Sequence, residues 1–414
     1  MSRPAVSDGA VSNKTRFHMK HFLPLLLSVL LLAGCSPGPG PTENVSTPPP
    51  SPPPVDQSVF APVQLPKDEP EPDPRQETID RLIRSERTEV LVGQLFFARC
   101  PGNDYGGEIA ADYLLGGYLL FGRDFKDKSA QEIKDQISVY QSANHLPMLI
   151  GVDEEGGTVV RVSSNSQLRE KRFPSPQKLY NQGGLEAVLA DCREKDALLR
   201  SLGINVNFAP VADLSANPQD FIYDRTLGRG AEETGAYISA VVEQMETDGI
   251  GSVLKHFPGY GPNKDTHTGS ALDTRPLETF QTEDFLPFRA GVAAGGGTTA
   301  VLVSHNVIQA VDPDRPASLS PAVYQILREE LDFDGPALTD DLAMKAVTRY
   351  AEEQGQCPAV LAIAAGCDMV VPTDFQTQIP QVLAALEDGT LSRDRVEEAA
   401  ARVLNWKYDL GLLP

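Results

Sequence analysis

The apolar run that ends at Leu254 is followed at once by Lys255 and His256, and then by a loop interrupted twice by Pro and Gly. Within that loop Asp265 and His267 stand two residues apart, so an extended backbone would place both side chains on one face. A carboxylate beside an imidazole can fix the imidazole tautomer and raise its basicity. This stretch therefore predicts a site of proton transfer.

Polar side chains follow other apolar runs of the sequence in the same way. Asp153 comes directly after one run, Arg225 lies in the loop after the next, and His305 follows a third. In a parallel barrel the ends of such strands meet at one face, where they would form a single site. Other interpretations stay open, because Asp153 could cap a helix and Arg225 could form a surface ion pair with Asp224. His305 could be a hydrogen-bonded core histidine.

Two adjacent carboxylates, Asp340 and Asp341, follow the apolar run before Thr339. Both cannot cap the next helix, so we expect one to face the site and the other to hold the loop. A carboxylate close to Lys255 and Arg225 would stay ionised and could act as a nucleophile or an electrostatic stabiliser.

Short apolar runs alternate with longer amphipathic stretches from residue 77 onward, which favours a parallel sheet covered by helices. Eight strands in this order predict a TIM (β/α)8 barrel as a single catalytic domain, with a doubly wound sheet as the alternative. The predicted strands are Val92–Phe97, Gly117–Phe121, Pro147–Val152, Val206–Pro210, Ser252–Phe257, Thr299–Ser304, Pro336–Thr339 and Asp368–Val371. The predicted helices are Ala130–Ala143, Gly184–Leu202, Glu232–Asp248, Pro321–Glu330 and Gln378–Leu386.

The N-terminal part of the chain has the composition of a secretion signal and a tether. Phe22–Leu32 is apolar but too short to span a bilayer, and the small residues after it lead to Cys35. We interpret residues 1–35 as a signal peptide whose end resembles a bacterial lipobox, with either Met1 or Met19 as the start. Cys35 would carry the lipid and hold the protein at the outer face of the cell membrane. Residues 36–76 are Pro-rich and predict a disordered linker, which leaves residues 77–414 as the catalytic domain.

Composition excludes several functions. The formal net charge is −21, which argues against nucleic acid as a partner of the folded part. The five cysteines have no metal-ligand spacing, so we expect neither a structural zinc nor a disulfide scaffold. Whether Cys357 and Cys367 pair is open at this level. The expected partner is a carbohydrate, and the expected state is a monomer.

The motifs together resemble glycoside hydrolase family 3, and in particular its bacterial β-N-acetylglucosaminidase branch. The resemblance spans about residues 85 to 412, and its motifs occur in the family's order. They are Asp153-Glu154-Glu155-Gly156-Gly157, Asn207-Phe208-Ala209-Pro210, Asp224-Arg225-Thr226-Leu227-Gly228, KHFPGYG from Lys255 with Asp265-Thr266-His267, Leu338-Thr339-Asp340-Asp341, and Ala365-Gly366-Cys367-Asp368.

The resemblance implies a TIM barrel without a C-terminal sandwich domain that removes terminal N-acetylglucosamine with retention of configuration. It implies Asp340 as the nucleophile and His267 with Asp265 as the acid/base dyad. It also implies that Asp153, Arg225, Lys255 and His256 hold the sugar, and we add His305 to these from its position. Peptidoglycan fragments would be substrates, and no metal or cofactor would be used.

Three residues depart from the family pattern: Tyr260 stands where the family usually has His, Thr266 stands where it usually has Ser, and Pro336 stands in the run before Asp340. Two other functions remain open on the sequence. One is a non-catalytic sugar-binding lipoprotein, and the other is a relative that uses phosphate instead of water. A histidine donor favours the latter, because it leaves less negative charge near the anomeric carbon than a glutamate would.

Overall fold

The computed structural model describes residues 73–102, 105–263 and 271–414. The ten strands in these ranges are β1 (Phe97–Arg99), β2 (Gly117–Leu120), β3 (Leu149–Val152), β4 (Val206–Asn207), β5 (Gly251–Phe257), β6 (Leu272–Asp273), β7 (Thr299–Val303), β8 (Val307–Ile308), β9 (Ala337–Asp341) and β10 (Met369–Val371). Eight of them form one parallel sheet in the order β1-β2-β3-β4-β5-β7-β9-β10, while β6 and β8 pair separately.

The first and last strands of the large sheet meet, so the sheet forms a barrel. Phe96 and Val370 form a parallel bridge, and the Val370 N–H donates to the Leu95 carbonyl at 2.8 Å. The Arg99 N–H donates to the carbonyl of Pro372 at 3.2 Å. The predicted (β/α)8 barrel is therefore confirmed, and the doubly wound alternative is wrong.

Helices surround the strands: α1 (Pro74–Ser85), α2 (Thr88–Gln94), α3 (Gly106–Tyr113), α4 (Gly122–Phe125), α5 (Ala130–Ala143), α6 (Pro176–Leu202), α7 (Ala231–Asp248), α8 (Leu277–Thr279), α9 (Phe285–Ala294), α10 (Pro321–Glu329), α11 (Lys345–Gln354), α12 (Pro358–Ala365), α13 (Phe375–Glu387) and α14 (Arg393–Asp409). Local sequence sets their ends. Ser129 and Glu132 form a capping box at α5, and Ser175 caps α6, where Pro176 takes the first position. Gly203 ends α6 in a left-handed conformation.

Two apolar layers hold the barrel together. The interior is filled by side chains that point inward from the strands, among them Phe97, Phe208, Val253 and Leu302, and Trp406 of α14 belongs to the same cluster. Phe97 and Phe208 meet edge to face, with ring centroids 5.1 Å apart. A larger cluster lies between the strands and the helices. The barrel is thus a packed core, and its open space lies at the strand ends.

The predicted strand Val92–Phe97 is wrong over most of its length, because Val92 lies in α2 and β1 begins only at Phe97. All residues from Val90 to Gln94 are buried. A short run that is buried all round shows neither the helical nor the strand period, so periodicity could not distinguish the two.

The folded domain also begins earlier than the expected residue Glu77. Helix α1 starts at Pro74, and Arg75 donates to Asn405 at 2.7 Å and to Asp409 at 2.8 Å. Three residues assigned to the linker therefore belong to the domain. The rest of the linker and the proposed signal peptide, including Cys35, lie outside the described residues.

The described cysteines are free thiols, and Cys357 and Cys367 do not pair with each other. Burial raises the pKa of the Cys367 thiol to about 12. Across residues 73–102, 105–263 and 271–414, the helices are too short or too polar for any of them to cross a bilayer.

Candidate active site

A cavity of about 510 Å³ opens at the carboxyl ends of the barrel strands. Strand-end residues from around the barrel line it, including Arg99, Phe121, Asp153, Lys255, His256 and Asp340. Polar side chains that are far apart in sequence are therefore brought to one place, as the strand-end pattern predicts.

Lys255 lies at the centre of an ion-pair network in this cavity. Its Nζ is 2.7 Å from Asp153 Oδ1 and 2.6 Å from Glu155 Oε1. The side chains of Lys255 and Glu155 are each 3% exposed, whereas that of Asp153 is 16% exposed. Glu155 is thus the buried counter-ion, and Asp153 is the member of the network that can also reach a ligand. Asp153 thus forms ion pairs, and these contacts do not fit the alternative in which it caps a helix.

Arg225 extends the network through a two-pronged contact with Glu155. Its Nε and one terminal nitrogen donate to the two carboxylate oxygens at 3.0 and 2.8 Å. Burial alone would raise the pKa of Glu155, but Arg225 and Lys255 hold it well below its usual range. Glu155 therefore carries its charge throughout the neutral range. Arg225 therefore pairs with Glu155, and the alternative of a surface ion pair with Asp224 is wrong.

The ring of His256 lies between Arg225 and the buried carboxylate of Asp213. Nδ1 is 2.6 Å from Asp213 Oδ2, and Nε2 is 3.1 Å from a terminal nitrogen of Arg225. A guanidinium can only donate, so Nε2 accepts and the ring proton resides on Nδ1. These two contacts fix the tautomer of His256 and use the lone pair of its Nε2.

Both Lys255 and His256 line the cavity although they are adjacent in β5. The register of β5 against β7 shifts between Lys255 and Phe257, and the Lys255–His256 peptide bond is cis. Regular strand alternation would send neighbouring side chains to opposite faces. The shifted register is thus a local feature of this site that the residue pattern did not reveal.

The two adjacent carboxylates of β9 make different hydrogen bonds. Asp341 Oδ1 accepts from the Ala343 N–H at 2.9 Å, and Oδ2 accepts from Thr373 Oγ1 at 2.8 Å, so Asp341 holds the loop. Asp340 and Asp341 both line the cavity, and Asp340 Oδ1 accepts from the Asp341 N–H at 2.7 Å. Both carboxylates therefore lie at the wall of the cavity.

His305 is placed differently from its expected role as a sugar contact. It is fully buried and lies outside the lining of the cavity. Its Nε2 donates to the Asp341 carbonyl at 3.1 Å, and its Nδ1 accepts from Ser318 Oγ at 2.7 Å. The interpretation as a hydrogen-bonded core histidine fits, and His305 supports the end of β9.

The three consecutive acidic residues after β3, Asp153, Glu154 and Glu155, make different contacts. Glu154 is buried and accepts from the N–H groups of Arg161 and Val162, both at 2.7 Å, so it shapes the loop. Gly156 has φ +101°, and a Cβ on it would come within 2.2 Å of the Pro174 carbonyl. Only glycine fits there, so the chain can turn directly after Glu155.

The dyad predicted at Asp265 and His267 lies outside the described residues, but both stems of its loop are described. Arg275 donates to Asp273 and, at 2.8 Å, to Asp284, and it also reaches the Gly259 carbonyl at 3.4 Å. Asn263 donates to Asp273 at 2.7 Å. The residues before and after the segment 264–270 are therefore tied to one another.

Tyr260, one of the two departures in this loop, is only 3% exposed, while the other, Thr266, lies outside the described residues. Its ring packs against His256 and Phe221, with centroids 5.6 and 5.7 Å away, and its N–H donates to Asp213 Oδ1 at 2.7 Å. Pro336, the third departure, precedes β9, and its carbonyl accepts from the Val301 N–H at 3.1 Å. Tyr260 and Pro336 thus both form backbone hydrogen bonds with neighbouring parts of the barrel.

Sequence reasoning did not assign Glu155, Asp213 or Arg275 to the site. Glu155 and Asp213 follow apolar runs as the assigned residues do, so their positions were a usable signal. The sequence carried no such signal for Arg275, because the path of the loop determines which residues it contacts. Within the ranges that the structure describes, no three His, Cys, Asp or Glu side chains converge as a metal ion would require.

The protein is an eight-stranded α/β barrel, and carboxylates, a buried lysine and a tautomer-fixed histidine lie at its strand ends. These features place it in the (β/α)8 class of enzymes. Residues 88–406 match the Glycosyl hydrolase family 3 N terminal domain. The chain therefore belongs to glycosyl hydrolase family 3, which confirms the family predicted from the motifs, and it is a glycoside hydrolase.

Individual relatives agree with this assignment. The chain is 32% identical over 302 residues to a Beta-hexosaminidase of Xanthomonas campestris pv. campestris, covering 72% of this chain and 85% of the relative. It resembles the structure of a family 3 beta-N-acetylglucosaminidase from Paenibacillus sp. str. FPU-7, with a TM-score of 0.71 and 27% identity. That match covers 79% of this chain but only 63% of the Paenibacillus chain. The M tuberculosis protein LpqI gives a TM-score of 0.69 at 27% identity, covering 78% of this chain and 95% of LpqI.

Proposed function

We propose that the protein is a retaining exo-β-N-acetylglucosaminidase with Asp340 as its nucleophile. The observation that carries the proposal is that one cavity contains Asp340 together with Asp153, Lys255 and His256. A retaining hydrolase needs a carboxylate beneath the anomeric carbon and polar groups that hold the sugar above it. The names of the Xanthomonas and Paenibacillus relatives support N-acetylhexosamine as the sugar.

The reaction then has two steps. The Asp340 carboxylate attacks the anomeric carbon, the glycosidic bond breaks, and the His267 imidazolium gives its proton to the leaving oxygen. In the second step water attacks the same carbon, His267 takes a proton from it, and the bond to Asp340 breaks. Asp265 holds the imidazole and stabilises its charged form. These roles for His267 and Asp265 come from the sequence motif.

Sugar hydroxyl groups find complementary partners in the cavity. Asp153 is an acceptor, and Lys255 and Arg225 are donors, whereas the lone pair of His256 Nε2 is taken by Arg225. Glu155 holds Lys255 and Arg225, Asp213 holds His256, and Lys255 in turn holds Asp153, so little side-chain entropy is lost when a sugar binds. This arrangement suits a terminal sugar whose hydroxyl groups both donate and accept.

Hydrolysis of a chromogenic β-N-acetylglucosaminide by the full chain tests the proposal, with Cys35→Ser in every sample to prevent lipidation. We expect Asp340→Ala to remove nearly all activity and His267→Ala to lower kcat by about 100-fold or more. Proton NMR should show the β-anomer as first product, and rates should not change with added phosphate. Phosphate-dependent release would favour the phosphorolytic alternative. Binding of N-acetylglucosamine without any release would favour the sugar-binding lipoprotein.

We further propose that Cys35 is lipidated, that the linker tethers the barrel to the outer face of the cell membrane, and that peptidoglycan fragments are substrates. Incorporation of labelled palmitate in a bacterial host should occur in the parent and fail in Cys35→Ser. Label retained in Cys35→Ser would contradict the anchor. Release of N-acetylglucosamine from purified muropeptides would support the substrate.

A further inference from the structure

Arg99 is a cationic side chain that the mechanism above does not use. It is the last residue of β1, and it lines the same cavity as Asp340. Its guanidinium carbon lies 4.2 Å from the centroid of the Phe121 ring, so the planar group rests on an aromatic face. The side chain is thereby held in one orientation at the wall of the cavity.

The other cations of the cavity are neutralised by protein carboxylates. Lys255 and Arg225 contact Glu155 within 2.8 Å, and Arg161 is 3.8 Å from Asp153. Arg99 differs, because within the described parts of the chain its guanidinium forms no ion pair; its buried Nε, like that of Arg161, finds no acceptor. A guanidinium in a partly desolvated wall attracts an anion more strongly than one in bulk water.

A buried carboxyl on the same side, that of Asp124, does not serve as the partner of Arg99. Its Oδ2 accepts from the Phe121 N–H at 2.7 Å, and its Oδ1 is 3.9 Å from Arg123 Nε. Burial raises the pKa of Asp124, while Arg123 and Arg99 act against that rise only as charges at a distance. The positive charge of Arg99 thus remains available to a ligand.

We infer that Arg99, resting on Phe121, forms an anion-binding subsite of the cavity, so that the preferred substrate carries a carboxylate-class anion beside the scissile sugar. The guanidinium fork matches a carboxylate with two parallel hydrogen bonds. This inference deepens the proposed function and rests on it, because it concerns the substrate of the same cavity. No covalent step is involved.

Three matched glycosides test the subsite: a neutral coumarin N-acetyl-β-glucosaminide, an anionic analogue with a carboxylate on the coumarin, and an anionic analogue with a sulfate on sugar O6. We expect Arg99→Gln to raise KM about fivefold to tenfold for an anionic substrate and less than twofold for the neutral one. Arg99→Lys should restore part of the difference, since it keeps the charge but not the fork. Which anionic substrate responds tells whether the anion belongs to the leaving group or to the sugar.

Lys126→Gln is the matched control, because Lys126 is an exposed cation that lies outside the lining of the cavity. It should leave all three KM values unchanged, and 0.5 M salt should weaken the preference of the parent as screening requires. Equal effects of Arg99→Gln on neutral and anionic substrates, or no effect on either, would overturn the subsite.

Binding measured by calorimetry on Asp340→Asn separates the two proposals. If the parent hydrolyses none of the glycosides, the proposed function fails, yet the subsite is still tested by binding. Tighter binding of an anionic glycoside that disappears in Asp340→Asn/Arg99→Gln supports the subsite. Equal binding of neutral and anionic glycosides refutes it.

Discussion

Asp213 accepts two hydrogen bonds from His256 through one oxygen, from the ring Nδ1 at 2.6 Å and from the backbone N–H at 3.0 Å. Its other oxygen accepts from the Tyr260 N–H at 2.7 Å. The carboxylate is fully buried. One side chain thus connects a residue proposed to hold the sugar with the stem of the loop proposed to carry the proton donor.

Asp213→Asn should therefore raise KM and lower kcat together, with kcat/KM reduced by about 10-fold to 100-fold. An amide cannot accept from His256 and Tyr260 on both of its ends, so one N–H loses its partner or the ring takes the other tautomer. Steady-state kinetics and a nitrogen NMR spectrum of the histidines would measure this. An unchanged His256 tautomer combined with unchanged kinetics would contradict the role.

Glu155 is predicted to be the residue on which the charge balance of the cavity depends. Glu155→Gln leaves Lys255 with Asp153 as its remaining ion-pair partner among the described residues and removes the two-pronged contact of Arg225. Breaking a buried pair in this way costs about 3–5 kcal/mol. Kinetics should show a raised KM, since Asp153 would be drawn into the ion pair and away from the sugar.

The pH dependence of the Glu155 contribution has a definite sign. The pKa of Glu155 is lowered in the folded protein, so its stabilisation is complete above its usual value of 4.5 and is lost as the pH falls toward the folded value. Denaturant unfolding should show the largest difference between parent and Glu155→Gln above pH 5, and a shrinking one below pH 4.5. Glu232→Gln, which removes an exposed charge on α7, serves as the control and should show no such trend.

The sequence predicts the strand-end residues well and their partners poorly. Lys255, His256 and Asp340 could be found because polar residues after apolar runs mark the mouth of a barrel. The selection of Glu155 over Asp224 as the partner of Arg225 depends on the path of a loop held by Glu154. Such a path follows from long-range packing and leaves no local pattern in the chain.

Element boundaries failed for a similar physical reason. The run around Val92 is apolar all round because α2 packs between the barrel and the helices α13 and α14. The strand β4 has only two residues, Val206 and Asn207, where Pro210 had been included. Burial on every side removes the periodicity on which a sequence-based assignment depends.

Arg275 is predicted to position the loop that carries His267. Arg275→Met removes the hydrogen bonds to Asp273 and Asp284 and leaves both carboxyls buried without their cation. Burial already raises the pKa of Asp284 to about 7 although Arg275 opposes the rise. We expect kcat to fall about 10-fold or more with a smaller change in KM, because the stems would no longer hold the loop.

A second variant separates this positioning role from simple destabilisation. Asp284→Asn in the Arg275→Met background removes a buried carboxyl without a partner, so it should recover thermal stability. It should not recover kcat, because the contact from Arg275 to the Gly259 carbonyl is still missing. Recovery of both quantities together would assign Arg275 to stability alone.

Lys407 offers a test of the barrel at the end opposite the site. It is fully buried, its Nζ donates to Gln94 Oε1 at 2.5 Å and to the Pro147 carbonyl at 2.6 Å, and burial lowers its pKa from 10.5 to about 7. The unfolded chain therefore binds a proton between about pH 7 and 10.5 that the folded chain does not. The parent should gain stability relative to Lys407→Met as the pH rises through this window, by at most about 1.4 kcal/mol per pH unit. Chemical denaturation of both proteins at pH 7, 8 and 9 measures the difference, and a constant difference would show that Lys407 keeps its proton in the folded state.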